Sequence, residues 1–191
     1  MPVAIPEAVL QIDGAILLFI QNNLRSPALT QFFKAVSNYG VIVMAAYFVI
    51  LLLWERRKLF PIASACVVSG LLGNFSKDYL KHLVKRPRPF LDIPALEPLI
   101  KRPKGYSFPS GHTCAAFGLA VSWSRVMRSG KVSVIVFLMA VLMGFSRLYV
   151  AVHNPSDVIV GALCGVLSAT ISIYILTAWD NRKKTMSEGE K

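Results

Sequence analysis

The sequence predicts an all-α fold, a polytopic transmembrane helical bundle of five to six spans with its polar groups gathered at one membrane face. Three observations predict it. Hydrophobic residues make up 54% of the chain and charged residues only 16%, and the mean hydropathy of +0.54 is above that of an ordinary soluble domain. The apolar residues fall in runs of about 20, the length that crosses a bilayer. The basic residues sit in short segments between those runs rather than along a solvated face. The 191 residues suit one membrane-embedded domain, 1–191.

The runs can be taken in order. Ala8–Leu24 has a short apolar centre, "AILLFI", flanked by Asp13 and "QNN". It reads as an amphipathic helix in the membrane interface, with a short sixth span as the alternative, so 1–30 forms an N-terminal helical segment. Val36–Trp54 and Leu59–Ser76 are uncharged spans. Pro109–Val126 is a third, with His112 and Arg125 near its ends. Val132–Val152 is the fourth and carries Arg147 near one end. Val158–Trp179 is the fifth, followed by a basic tail, 180–191. Ser69/Gly73 and Gly161/Gly165 have the small-xxx-small spacing that lets helices approach closely. No internal repeat, low-complexity segment or cleavable signal pattern is read.

The net charge is +11, from 21 basic and 10 acidic residues. Nucleic acid is disfavoured as a partner, because such proteins carry their charge on an exposed face. "ERRK" (Glu55–Lys58), "RVMRSGK" (Arg125–Lys131) and the tail fall on one side of a five-span chain. All are basic, which makes that side cytoplasmic. The opposite side receives 84–112, which is also very basic. Charge kept on the disfavoured side points to an anionic ligand. Cys66, Cys114 and Cys164 all lie inside apolar runs without ligand spacing, so they read as small core or lipid-facing residues.

Three polar clusters belong to that opposite face. In "KHLVKRPRP", Lys77, Lys81 and Lys85 are four apart and share a helical face, which Pro87 ends. Lys77 and Lys85 read as snorkelling anchors, Lys81 and Arg88 as anion ligands. In "YSFPSGHTCAAF", Pro109 opens a helix, Gly111 permits close approach, Ser110 supplies a hydroxyl and His112 a titratable ring. The exposed N–H groups of that helix start suit an anion. An ordinary cap with an interfacial histidine is the plainer reading of the same residues. In "SRLYVAVHNPSD", Asn154 reads as an N-cap, Pro155 as the first helical residue and Asp157 as the third. Asp157 can also accept a hydrogen bond from His153 and leave the other ring nitrogen nucleophilic. Arg147, a charge near a span end, is a functional candidate. No group of carboxylates or Cys/His ligands calls for a metal or cofactor, and nothing calls for an obligate protein partner.

With six residues between Lys81 and Arg88-Pro89, then Pro109-Ser110-Gly111-His112, then Ser146-Arg147 with His153 and Asp157, the chain resembles the type 2 phosphatidic acid phosphatase family. That family's pattern is K-x6-RP, PSGH and SR-x5-H-x3-D, and every position is matched in order. The resemblance implies an active site at one membrane face. It implies that His153 is a nucleophile forming a phosphohistidine, Asp157 its orienting partner and His112 the general acid. It implies that Lys81, Arg88, Ser110, Gly111 and Arg147 bind phosphate, with no metal. The compact "KRPRPF" resembles bacterial members acting on undecaprenyl diphosphate. Phosphatidylglycerol phosphate or phosphatidic acid is the alternative lipid, a glucose-6-phosphatase type with a soluble substrate a further enzyme reading, and a lipid-binding or transport protein the non-enzymatic one. The expected place is the plasma membrane, with the site facing outside and the C-terminus cytoplasmic.

Overall fold

The computed structural model describes residues 3–54, 59–127 and 129–189. They form α1 (Glu7–Leu24), α2 (Pro27–Trp54), α3 (Leu59–Val84), the one-turn α4 (Pro89–Asp92), α5 (Gly111–Met127), α6 (Gly130–Tyr149) and α7 (Pro155–Gly189). The predicted "ERRK" segment and Arg128 lie outside the described residues, as does the end of the tail. All five apolar runs fall on helices. Two of these, Gly130–Tyr149 and Pro155–Trp179, are long and apolar enough to cross a membrane. The bundle's outer surface carries exposed Ile42, Leu71, Phe75, Val134, Leu138, Ile159, Leu163 and Leu167. A water-soluble protein does not show so continuous an apolar exterior, so a membrane is the solvent that fits it.

The helices differ from their predicted limits where local chemistry intervenes. α3 runs past Ser76 to Val84 and so carries Lys77 and Lys81 beyond the apolar run. Lys85 has φ +52 and lies outside the helix, so it does not share their face. The left-handed residue ends α3 as a C-terminal cap does, and Pro87 bars Arg86 from the helical region. α6 stops at Tyr149, short of Val152. Ala151 there is left-handed at φ +57 and 1% exposed. A non-glycine residue in that region costs about 1–3 kcal/mol, and the turn that bears it delivers His153. α7 continues beyond Trp179 to Gly189, because the tail's arginine, lysine, methionine and glutamate are good helix formers.

α5 is the central helix. It packs on α7, α6 and α3, α7 also packs on α3, and α2 lies against α6. Small residues set the spacing. A Cβ on Gly161 would stand 2.6 Å from the Ser110 carbonyl oxygen, and one on Gly165 would overlap the Cys114 carbonyl. Gly73 faces Cys114, and Gly118 faces Ser69 and Gly165. The predicted small-residue pairs therefore line one seam through α3, α5 and α7. Trp123, Ala116, Ala120, Ala140 and Met143 form the core between α5 and α6.

α1 docks at the end where α3 finishes and α5 and α7 begin. Leu17 packs with Leu96 and Ala151, and Ile20 with Phe33 and Tyr149. Its buried face includes Asp13, whereas Leu10, Ile12, Ile16 and Phe19 are exposed. A buried carboxylate thus shares the inner face with Leu17 and Ile20, while apolar side chains also lie on the outer face.

The seam makes a direct prediction. Gly165→Ala drives a methyl into the α5 backbone and should lower stability by about 1–3 kcal/mol. Gly70→Ala, on the same bundle with nothing within 4 Å of the new methyl, should melt at the native temperature. Thermal unfolding of both variants in detergent checks this, and equal melting points would refute the seam.

Candidate active site

The turn between α6 and α7 is built by its own residues. Asn154 stands at the N-cap position of α7, Pro155 takes the first helical position and Asp157 the third. Asp157 Oδ2 accepts the Asn154 N–H at 2.8 Å, the reciprocal half of a cap. The Asp157 carbonyl oxygen accepts the Ser110 N–H at 3.0 Å, which ties the start of α5 to the start of α7. His153 and Asp157 are both buried. His153 Nδ1 stands 3.6 Å from Asp157 Oδ2, a contact longer than a made hydrogen bond. Nε2 faces Arg88, 3.5 Å from a guanidinium nitrogen. Burial pushes the His153 imidazole down to about 4, against the pull of Asp157. The ring is therefore neutral at neutral pH, with Nδ1 turned to the carboxylate and Nε2 to the cations.

The cations come from three elements. Arg88 is extended at φ −83, ψ 148, as a residue before proline must be. Its guanidinium rests on the Val152 carbonyl at 2.9 Å and the Gly105 carbonyl at 3.2 Å. Burial pushes it below the usual arginine value, and the Asp157 charge opposes this. Arg147, in the last turn of α6, is buried and donates to the Ser37 carbonyl at 3.1 Å and to the Ser37 hydroxyl. Lys81 is half-buried, close enough to feel the charges of Arg88 and Asp157. His112 is exposed at the first turn of α5, within reach of Arg147, His153, Arg88 and Lys81. Ser110 is wholly buried and accepts the Thr113 hydroxyl at 2.9 Å. Its N–H is spent on Asp157, so the free amides of this helix start are those of Gly111 and its successors. A Cβ on Gly111 would lie 2.9 Å from Lys77 Cδ, so a side chain there would displace the lysine.

All eight residues singled out in the sequence gather at one end of the bundle. Lys77 lies beside them, against Gly111. Its ammonium is held by Asn74 at 2.8 Å and faces Asp78 at 3.5 Å. Cys114 and Cys164 lie in the helical packing, Cys114 against Gly73. Cys66 is on α3, and its side chain lies outside the described residues. Among the described residues no group of three or more His, Cys, Asp or Glu could hold a metal ion. The sequence reading missed Arg86, which is buried and donates to Asp157 Oδ1 and Asp13 Oδ2, each at 2.8 Å. Nothing in "VKRPRP" separates Arg86 from its basic neighbours. Asp13, a lone acid beside "AILLFI", was the available signal. Ser37 was also missed, being one serine in an apolar run.

A mostly apolar groove of about 200 Å³ runs down between α3 and α5 from this end. Lys77 and Gly111 stand at its top, and Ser69, Gly118 and Leu119 line its floor. The arrangement thus sets two imidazoles, three cationic side chains and two helix N-termini at the end of the bundle where the groove, lined by Gly111, begins.

The PAP2 superfamily model matches residues 58–181, which includes every one of those eight positions. A lipid A 4'-phosphatase of Bacteroides thetaiotaomicron is 28% identical over 179 residues, covering 88% of this chain and 79% of that protein. An undecaprenyl-diphosphatase of Sulfolobus acidocaldarius is 32% identical over 127 residues, covering 66% of this chain and 60% of that one. The crystal structure of Aquifex aeolicus LpxE superposes with a TM-score of 0.74 at 29% identity, covering 91% of this chain and 99% of the other. With the family's pattern on these residues and its fold around them, the chain belongs to the PAP2 superfamily and is a membrane lipid phosphatase.

Proposed function

We propose that the chain removes a terminal phosphate from a membrane lipid through a phosphohistidine on His153, without a metal. The observation that carries this is the orientation of His153, with Nδ1 toward Asp157 and Nε2 beside Arg88. Nε2 attacks phosphorus in line, and the bond to the lipid's leaving oxygen breaks. His112 gives that oxygen a proton, then takes one from the water that hydrolyses the P–N bond. Arg88, Arg147, Lys81, the Ser110 hydroxyl and the amides from Gly111 onward neutralise the transferring phosphoryl oxygens. The 3.6 Å gap between His153 and Asp157 closes as positive charge builds on the ring, since such bonds tighten in the reacting complex.

The lipid's tail fits the groove between α3 and α5, which lets the headgroup reach His153 while hydrocarbon stays in hydrocarbon. Undecaprenyl diphosphate is our leading substrate, supported by the 32% identity of the undecaprenyl-diphosphatase over 127 residues. A phosphorylated lipid A is the second reading, favoured by a relative that matches 88% of the chain. Phosphatidylglycerol phosphate and phosphatidic acid remain the simpler lipid candidates. We place the protein in the plasma membrane with α1 in the outer interface, the pocket outside and the tail inside, on the strength of the basic segments Arg125–Lys131 and 180–191.

Three measurements test these statements. With terminally labelled lipid and rapid quenching, His153→Ala should form no phosphoenzyme and lose about 10³-fold or more in turnover. His112→Ala should slow by about 10²–10⁴-fold and accumulate label. Label on the His153→Ala protein would defeat the assignment. In a panel of undecaprenyl diphosphate, lipid A, phosphatidylglycerol phosphate, phosphatidic acid and glucose 6-phosphate, the first should release phosphate fastest, with EDTA making no difference. Preference for lipid A moves the substrate assignment, and activity regained only with Mg²⁺ ends the metal-free mechanism. Finally, Cys66, Cys114 and Cys164 are replaced and single cysteines placed at the exposed positions Lys101 and Lys131. An impermeant thiol reagent on intact cells should label 101 and spare 131, and the reverse pattern inverts the topology.

A further inference from the structure

Arg86 and Asp13 take no part in the chemistry described so far, yet they are among the most buried charges in the protein. Arg86 is 5% exposed and Asp13 2%. One Arg86 terminal nitrogen donates to Asp157 Oδ1 at 2.8 Å and to Ser156 Oγ at 2.7 Å. The other donates to Asp13 Oδ2 at 2.8 Å. Asp13 also accepts the Ser156 N–H at 3.0 Å and the Ser156 hydroxyl. Both terminal nitrogens of the guanidinium are thus engaged by protein acceptors, and two of these are the carboxylates of Asp13 and Asp157, which balance its charge as no ion pair among the described residues balances that of Arg88 or Arg147.

The division of those bonds is informative. A guanidinium facing a carboxylate prefers two parallel N–H···O bonds, one to each oxygen. Here Asp13 holds the second nitrogen, and Arg86 meets Asp157 through Oδ1 alone. Oδ2 is left for the Asn154 N–H and the His153 ring. Without Asp13, the same arginine is free to take both oxygens and draw Oδ2 away from His153.

We propose that Asp13 and Arg86 are positioning residues, which hold the Asp157 carboxylate by one oxygen so that the other serves His153, and which thereby make the docking of α1 a condition of turnover. The proposal rests on the reading of His153 as nucleophile and Asp157 as its partner. Arg86 fixes the carboxylate's rotation, and Asp13 fixes Arg86's. Ser156, bonded to both, locks the start of α7 into the same unit.

The test is a double-mutant cycle on the full-length protein in detergent, with the panel lipid that the native protein hydrolyses fastest. Arg86→Gln should lower kcat by roughly tenfold or more, leave KM within about twofold, and leave the affinity for vanadate unchanged. Asp13→Ala should lower kcat in the same way, whereas Asp13→Asn, which keeps an acceptor for Arg86, should retain most of it. In an Asp157→Asn background, Arg86→Gln and Asp13→Ala should cause no further loss. The same loss factor in both backgrounds, or a raised KM with kcat intact, overturns the proposal. If Arg86→Gln fails to fold by size exclusion, the Asp13→Ala and Asp13→Asn pair decides on the same criteria. If Asp157→Asn alone leaves kcat unchanged, the reading of the site falls, and that result is distinct from additive losses.

Discussion

The close approach of α5 and α7 is the contact on which the rest of the molecule depends. Gly161 and Gly165 leave no atoms between the α7 backbone and the carbonyls of Ser110 and Cys114. Two helices that touch this closely can begin side by side, and the Ser110 N–H then reaches the Asp157 carbonyl. Two helix starts, each with a partial positive charge, are brought to one point. Any side chain on that seam would part the PSGH segment from the turn that carries His153.

A site for a phosphate must also keep several cations together while it is empty. The ordinary solution, a carboxylate for every arginine, would cancel the field that draws the ligand. Here Arg88 leans on the backbone carbonyls of Gly105 and Val152, and Arg147 on Ser37. Neutral dipoles satisfy the N–H groups and leave the charge in place. The carboxylates that do enter, Asp157 and Asp13, are engaged by Arg86 at the back. The protein separates the arginine that holds the carboxylates from the arginines that face the pocket.

Much of this was legible from residues. The five apolar runs marked helices, because burial in a membrane needs long uncharged segments. The N-cap, proline and acid of Asn154, Pro155 and Asp157 stated their own geometry, which the cap bond to Asn154 reproduces. The glycine spacing marked where helices approach closely, though not which partner each one meets. Other features were silent because they depend on long-range placement. Lys85 looked helical by spacing, and its departure follows from the prolines beyond it. Arg86 could not be told from Lys85 or Arg88 until α1 supplied Asp13 from 73 residues away. The left-handed Ala151 carries no glycine to announce it.

The continuity of α7 has a further consequence. From Pro155 to Trp179 it is one rod of 25 residues, its single charge the buried Asp157 at the start, about 37 Å long at 1.5 Å per residue. That exceeds the roughly 30 Å of a bilayer's hydrocarbon. His153 is fixed to one end of this rod, and the first tail charge, Asp180, stands at the other. The helix therefore acts as a gauge, and the height of His153 above the lipid is set by how the membrane's thickness meets its length. In a thin bilayer the rod must tilt or lift the pocket clear of the headgroups, and in a thick one it stands upright and draws the pocket down among them.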